Sequence, residues 1–469
     1  MKKTFITILS VVTLFACQSD EQYEDLNRDP KNPTQVDADF LYNSATKSLF
    51  NQMTSTNVNN NVFRLLGQYW TETTYTDESN YDLVGRNIPE SHWSEMYRDV
   101  LLDLQTARAQ STSPASIAQI DVLAIYTWQQ MVDTFGDIPY TDALGLSTLP
   151  KYDDAETIYL DLLDRINAAI PNLVGTGFTS ADKIYGGNMV AWNKFANSLK
   201  LKLGIRLSDF NTALSQSTVE SAYAAGVFTS NADNALLTYE SATPNTNPLW
   251  VDLVQSGRTD FVPANTLVDV MNTLEDPRRM TYFDENMGAG TYIGGIYGDN
   301  NTFGNYTHIV GYDDGTSLHD PTLPGVLLDF SEVSFYLAEA GHRAWNVGGT
   351  ADQHYTNGIT ASFDYWGAAD LATYLADPAV AYATAAGDWR QKIGTQFWLA
   401  MYNRGFEGWT VWRKYDNPTF NLPVVTSNPV PTRYTYPVNE QNLNETNWSA
   451  ASAAIGGDSQ TTKIFWDVN

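Results

Sequence analysis

The sequence holds a single cysteine, Cys17, in 469 residues. No intramolecular disulfide can form, and a cysteine-built metal cluster is excluded. Basic residues are scarce: 27 Lys and Arg face 54 Asp and Glu, a formal charge of −27. A chain this acidic repels a nucleic-acid backbone, and no basic stripe offsets the repulsion, so a nucleic-acid partner is excluded. Past residue 17 no run of about 20 apolar residues occurs, so no further helix is expected to span a bilayer. Catalytic signatures are missing as well. His92, His308, His319, His342 and His354 share no H-E-x-x-H or other close ligand spacing. There is no G-x-S-x-G elbow and no P-loop, and the glycine-rich TYIGGIYG and GNYTH lack the strand and helix that phosphate binding needs. The expectation is a protein that is not an enzyme. A lipid-anchored glycoside hydrolase is the enzymatic alternative, although no carboxylate pair can be nominated from the sequence.

What is present starts with Lys2 and Lys3, an apolar run from Phe5 to Phe15, and LFAC at 14–17. Charge, greasy core and a small residue before the cleavage point have the layout of a secretory signal, too short to be a mature membrane anchor. Leu14, Ala16 and Cys17 resemble a bacterial lipobox, which makes residues 1–16 a signal peptide and Cys17 a lipidated anchor. A plain secreted protein with an incidental cysteine is the competing reading. Residues 17–39 read as a flexible acidic tether, with Pro30 and Pro33 and no apolar period.

The body, 40–469, is expected to be a single unit, mainly α. Helical scaffold is predicted over about 40–229 and 330–415, with loop-rich parts over 230–329 and 416–469. Ile117, Ile120, Ala124, Trp128, Met131 and Phe135 recur at three- and four-residue spacing, one face of a helix closed by Gly136 and Pro139. Trp192, Phe195, Leu199, Leu203, Leu207 and Phe210 form a second stripe. A shorter helix is predicted from Pro263 to Leu274. Helices separated by short breaks bury their stripes against one another as hairpins. Pro418, Pro423, Pro429, Pro431 and Pro437 fix a surface path near the C-terminus, and the closing IFWDVN reads as a short strand or a plug.

The composition includes 13 Trp and 27 Tyr, and several stand in polar sequence with no helical face to bury them. Trp70, Tyr75, Asn80, Tyr81 and Trp93 flank or occupy one such loop. Trp250, Tyr282, Tyr292 and Tyr306 lie in or near the Gly- and Asn-rich stretch that follows. Backbone of this kind runs over the surface, and amphipathic rings there suit a sugar platform. These nine residues are the ligand-binding candidates; the structural alternative is that each ring locks its own loop to the body. DDGT and DGTSLHD offer hard oxygens for a structural calcium ion, but neither follows the EF-hand pattern to its glutamate.

Five segments resemble one family: DLNRDPKNPT at 25–34, ANSLKLKLGIRLS at 196–208, EDPRR at 275–279, NRGFEGWTVWRKYDNP at 403–418 and PTRYTYPVNEQNLN at 431–444. In the last, Arg433, Tyr436, Pro437, Glu440 and Asn444 fill an R-x-x-Y-P-x-x-E-x-x-x-N pattern. With the lipobox, the chain resembles the SusD/RagB nutrient-binding lipoproteins of the Bacteroidetes outer membrane. The resemblance implies a tetratricopeptide-like helix-pair scaffold, an α/α superhelix, beside an irregular ligand-binding part. It further implies a cell-surface lipoprotein that captures a poly- or oligosaccharide without cleaving it and passes it to a SusC-like TonB-dependent transporter. Some relatives are linked to peptide capture, which is the alternative ligand class. No sugar-contacting residue transfers by motif; Trp409, Trp412, Arg413, Arg433 and Glu440 read as scaffold.

Overall fold

The computed structural model describes residues 36–145, 147–309 and 318–469. Cys17 and the leader segment 25–34 lie outside the described residues, as do residues 310–317, which include 313–317 of the DDGTSLHD stretch.

Helix starts follow local chemistry. Ser113 caps Pro114–Phe135 by accepting from the Ser116 N–H, with Pro114 in the first turn, where a missing N–H costs nothing. Asp154 accepts from the Thr157 N–H at 2.9 Å and opens Ala155–Ala169. Asn188 caps Met189–Arg206. That helix stops short of the predicted Phe210, because Asn211 already caps the next one, Thr212–Ala225. Consecutive helices then pack side by side: Pro114–Phe135 with Ala155–Ala169, Met189–Arg206 with Thr212–Ala225, Phe330–His342 with Ala351–Trp366, and Trp389–Ala400 with Gly405–Tyr415. The scaffold is the expected series of helix pairs. Close approach is permitted by Gly408, where an added Cβ would land on the Tyr69 hydroxyl, itself donating to the Trp398 carbonyl at 2.6 Å.

The strands among the described residues form three two-stranded ladders, β1 (Trp70–Glu72) with β5 (Phe261–Pro263), β2 (Ile138–Pro139) with β3 (Tyr152–Asp153) and β4 (Ala235–Leu237) with β6 (Gly325–Leu328), so no large sheet exists there. β1 pairs antiparallel with β5, in the register Trp70 to Pro263 and Glu72 to Phe261. Pro263 therefore ends a strand instead of opening a helix, and the helix begins at Asn265. Two C-terminal helices, Val438–Leu443 and Glu445–Ala454, interrupt the stretch expected to be loops. IFWDVN forms no strand; Ile464 and Trp466 are buried in the core, so the plug reading holds. No described helix is long and apolar enough to cross a membrane.

The helix pairs enclose buried charges. Lys202 and Arg206 meet Glu407, Glu332 and Asp133, and Arg404 pairs with Glu332 at 2.5 Å and Asp329 at 3.1 Å. Every one of these side chains sits in the interior or at its edge, where a charge must be paired. Opposed cations hold the Glu407 carboxyl down at about 2 despite burial, Lys202 foremost among them. The other family-like motifs are internal too: Asp276 grips Arg278, Arg413 lies 3.7 Å from the Trp409 ring centroid, and Arg433 donates to the Phe135 carbonyl. Their hydrogen bonds are made within the protein, which makes them scaffold.

Candidate functional site

The β1–β5 ladder is short, but it decides what can meet at the surface. It sets the loop after Glu72 beside the loop before Phe261, and both beside the turn that ends the Ala38–Thr54 helix. The resulting cleft, of about 480 Å³, is lined from those three segments. Asn57 and Asn59 come from the first, Glu72, Tyr75 and Arg86 from the second, and Asp252, Arg258, Asp260 and Phe261 from the third.

Tyr75 is the exposed ring of the cleft, with 71% of its surface accessible. Its φ of +55° is the left-handed region, which costs a bulky L-residue about 1–2 kcal/mol. An exposed aromatic that gains little burial and carries backbone strain is a feature of ligand-facing positions. Around it the polar groups are arranged in pairs. Arg258 pairs with Asp260, and Arg86 with Glu78. Glu72, at the cleft floor, accepts from the Ser79 N–H and hydroxyl at 2.9 Å each. Burial, then the neighbouring Glu78 charge, push its carboxyl well above the ordinary range. Burial also raises Asp252, which accepts from the Asn57 amide at 3.4 Å. Hydroxyl-recognising donors and acceptors thus converge beside one exposed ring, the chemistry of a saccharide site.

The other nominated residues are distributed differently. Trp70 is wholly buried, with Arg64 5.1 Å from its ring and its N–H on the Tyr402 hydroxyl. Tyr81 accepts from Gln68 at 2.9 Å, and Asn80 donates to the Gly298 carbonyl at 2.8 Å; both are buried. Trp93 packs edge-on against Phe135 at 5.0 Å. Tyr282 stacks on Tyr402 at 4.0 Å, and Tyr292 lies under Arg279 against Phe283. For these six, the structure places the side chain in the core, where it locks its loop to the body. Trp250 and Tyr306 are half-buried, and neither lines the cleft. No residue of 282–306 reaches it, so the two aromatic loops are not brought together there.

Asn57, Asn59, Arg86, Asp252, Arg258, Asp260 and Phe261 were not singled out from the sequence. The available signal was weak: NVNNN and QSGRTDF are polar and aperiodic, and only the β1–β5 pairing, between strands distant in sequence, shows that they adjoin. Among the described residues no group of three or more His, Cys, Asp or Glu could hold a metal ion. Asp320, from the calcium-like stretch, instead accepts from the N–H and hydroxyl of Thr322 at 2.7 Å each.

Comparison with known proteins gives this geometry a family. Residues 30–437 match the SusD-like family described as starch-binding and associating with the outer membrane. No curated protein matches the sequence. Among solved structures, a chitin-binding protein is 25% identical with a TM-score of 0.79, covering 92% of this chain and 100% of that one. A SusD homologue from Bacteroides uniformis is 26% identical, with a TM-score of 0.78, over 92% of this chain and 100% of its own. A chitin-binding SusD homologue from Flavobacterium johnsoniae, at 24% identity and a TM-score of 0.79, covers 91% of this chain and 99% of that one, which speaks to the fold. The family consists of non-catalytic glycan-binding lipoproteins that partner SusC-type transporters, and membership implies a place at the outer membrane. With helix pairs, buried motif charges and the family match spanning most of its length, the chain belongs to the SusD-like family of outer-membrane nutrient-binding proteins.

Proposed function

We propose that this protein captures a glycan chain in the cleft around Tyr75 and hands it, uncleaved, to a SusC-like TonB-dependent transporter, while lipid on Cys17 tethers it to the cell surface. The carrying observation is Tyr75: an exposed ring, held in a strained backbone conformation, over a polar cleft. A sugar lays the apolar face of its ring on the tyrosine. Asn57, Asn59, Arg258 and Asp260 then supply donors and acceptors for its hydroxyls. The chitin-binding structures with the same fold favour a saccharide over a peptide. Tethered capture raises the local ligand concentration over the transporter mouth, and a moderate affinity leaves the cargo free to be released.

The test is affinity electrophoresis of the mature protein and Tyr75→Ala against a polysaccharide panel, beside a peptide panel. Retardation by at least one glycan is expected, reduced in the variant, with the polymer length unchanged after long incubation. Binding confined to peptides, or glycan binding that ignores Tyr75, would overturn the reading.

A further inference from the structure

The charges of the cleft do not cancel. Arg258 is taken by Asp260 and Arg86 by Glu78, and no lysine is among the lining residues. Glu72 is enclosed by the Ser79 donors at the floor. Asp252 is left over. Its carboxylate is half-buried in the cleft wall, accepting from the Asn57 amide at 3.4 Å. No ion pair involves it among the described residues. The buried Arg64 guanidinium lowers the Asp252 carboxyl by its charge but forms no ion pair with it. Its Nη groups donate to the carbonyls of Thr54, Ser55 and Asn403 and to the Asn403 side chain, and its Nε–H has no hydrogen-bond partner among the described residues. A carboxylate with a free acceptor, facing a cleft in a chain of charge −27, is suited to a cation.

Resting on the proposed saccharide role of this cleft, we infer that it selects glycans carrying a protonated amine, hexosamine chains with free amino groups, and that Asp252 reads the amine. An ammonium group brings three donors and the compensating charge, so its hydrogen bond to Asp252 is charge-assisted. An N-acetylated sugar keeps the shape of the chain but loses that charge. A uronic-acid chain would set a second carboxylate against Asp252 with no free cation in the cleft to separate them, and is rejected.

Isothermal titration of the mature protein at about pH 6, where amines are protonated and ordinary carboxylates ionised, compares glucosamine oligosaccharides with N-acetylglucosamine and galacturonate oligosaccharides of equal length. The glucosamine form is expected to bind about tenfold tighter than the N-acetylated form, as one charge-assisted hydrogen bond supplies, and the galacturonate form weakest. In Asp252→Asn that ratio falls to about one, while in Arg258→Gln, which unpairs Asp260, it widens. Equal binding of the two amino sugars by the parent protein, or a preference that survives in Asp252→Asn, overturns the inference while leaving glycan capture in place, provided Tyr75→Ala weakens both. If no saccharide binds, or only lysine-bearing peptides do, the glycan reading falls and this inference with it.

Discussion

The indole N–H of Trp466 donates to Oδ1 of Asp133 over 2.7 Å, so the last residues of the chain are fastened to the final turn of the long apolar helix Pro114–Phe135. Asp133 also receives the Tyr159 hydroxyl at 2.5 Å and Arg206 at 3.4 Å, and the Trp466 ring lies 5.1 Å from the Arg413 guanidinium. The C-terminal plug thereby closes over the buried charges of the scaffold. Trp466→Ala is expected to lower stability by about 3–5 kcal/mol through the cavity it leaves. Trp466→Phe, which retains most of the bulk and leaves Asp133 other donors, is expected to cost about 1 kcal/mol. Urea unfolding of the two variants decides this; equal losses would mean that ring volume is not what matters.

Glu407 lies between Lys202 and Arg206 with all three side chains buried. Glu407→Gln keeps the volume but leaves the two cations sharing Glu332 and Asp133. A loss of about 3–5 kcal/mol is expected, as when one partner of a buried ion pair is removed. A melting temperature equal to the parent's would show that the cations rearrange onto the remaining carboxylates.

His92 gives the stability a pH dependence. Its ring is fully buried, its Nδ1 is 2.9 Å from the Gln52 amide, and burial holds its pKa down to about 3. In the unfolded chain it titrates near 6.5. Between those values the unfolded state binds the extra proton, so stability falls as pH drops through 6.5, by up to about 1.4 kcal/mol per unit. His92→Phe is therefore expected to lose about 2 kcal/mol less than the parent between pH 8 and pH 5 in urea unfolding. Parallel pH profiles for the two proteins would contradict it.

The helix pairs could be read from sequence because a helix repeats its buried face every three or four residues, as Ile120, Ala124, Trp128, Met131 and Phe135 do. Loop aromatics carry no such period. Tyr75 and Tyr81 stand six residues apart in the same polar stretch, both at positive φ, yet one is exposed and the other buried beside Tyr297. Nothing local distinguishes them; the difference is made by Gln68 and Tyr297, which reach Tyr81 from outside its own loop. Asp252 and Arg258 were hidden for a related reason. Their neighbourhood with Tyr75 depends on β1 finding β5, a three-residue pairing that propensity cannot register.

Tyr75 should respond to substitution with opposite signs in folding and in binding. At φ +55° its side chain is strained, while 71% exposure means that it contributes little buried area to the fold. Tyr75→Gly removes the steric penalty, although glycine also loses more chain entropy on folding. The steric relief of about 1–2 kcal/mol exceeds the entropy cost of about 0.5–1 kcal/mol, so a small net gain in stability is expected. The same change removes the platform, and loss of an aromatic hot spot costs about 1–3 kcal/mol of affinity. Tyr75→Phe, keeping ring and strain, should bind nearly as the parent does if stacking dominates. The three proteins would be compared by thermal unfolding and by titration with the glycan that the affinity screen identifies. A glycine variant that melts earlier would show that the tyrosine is held for the fold, and one that binds unchanged would move the ligand away from this cleft.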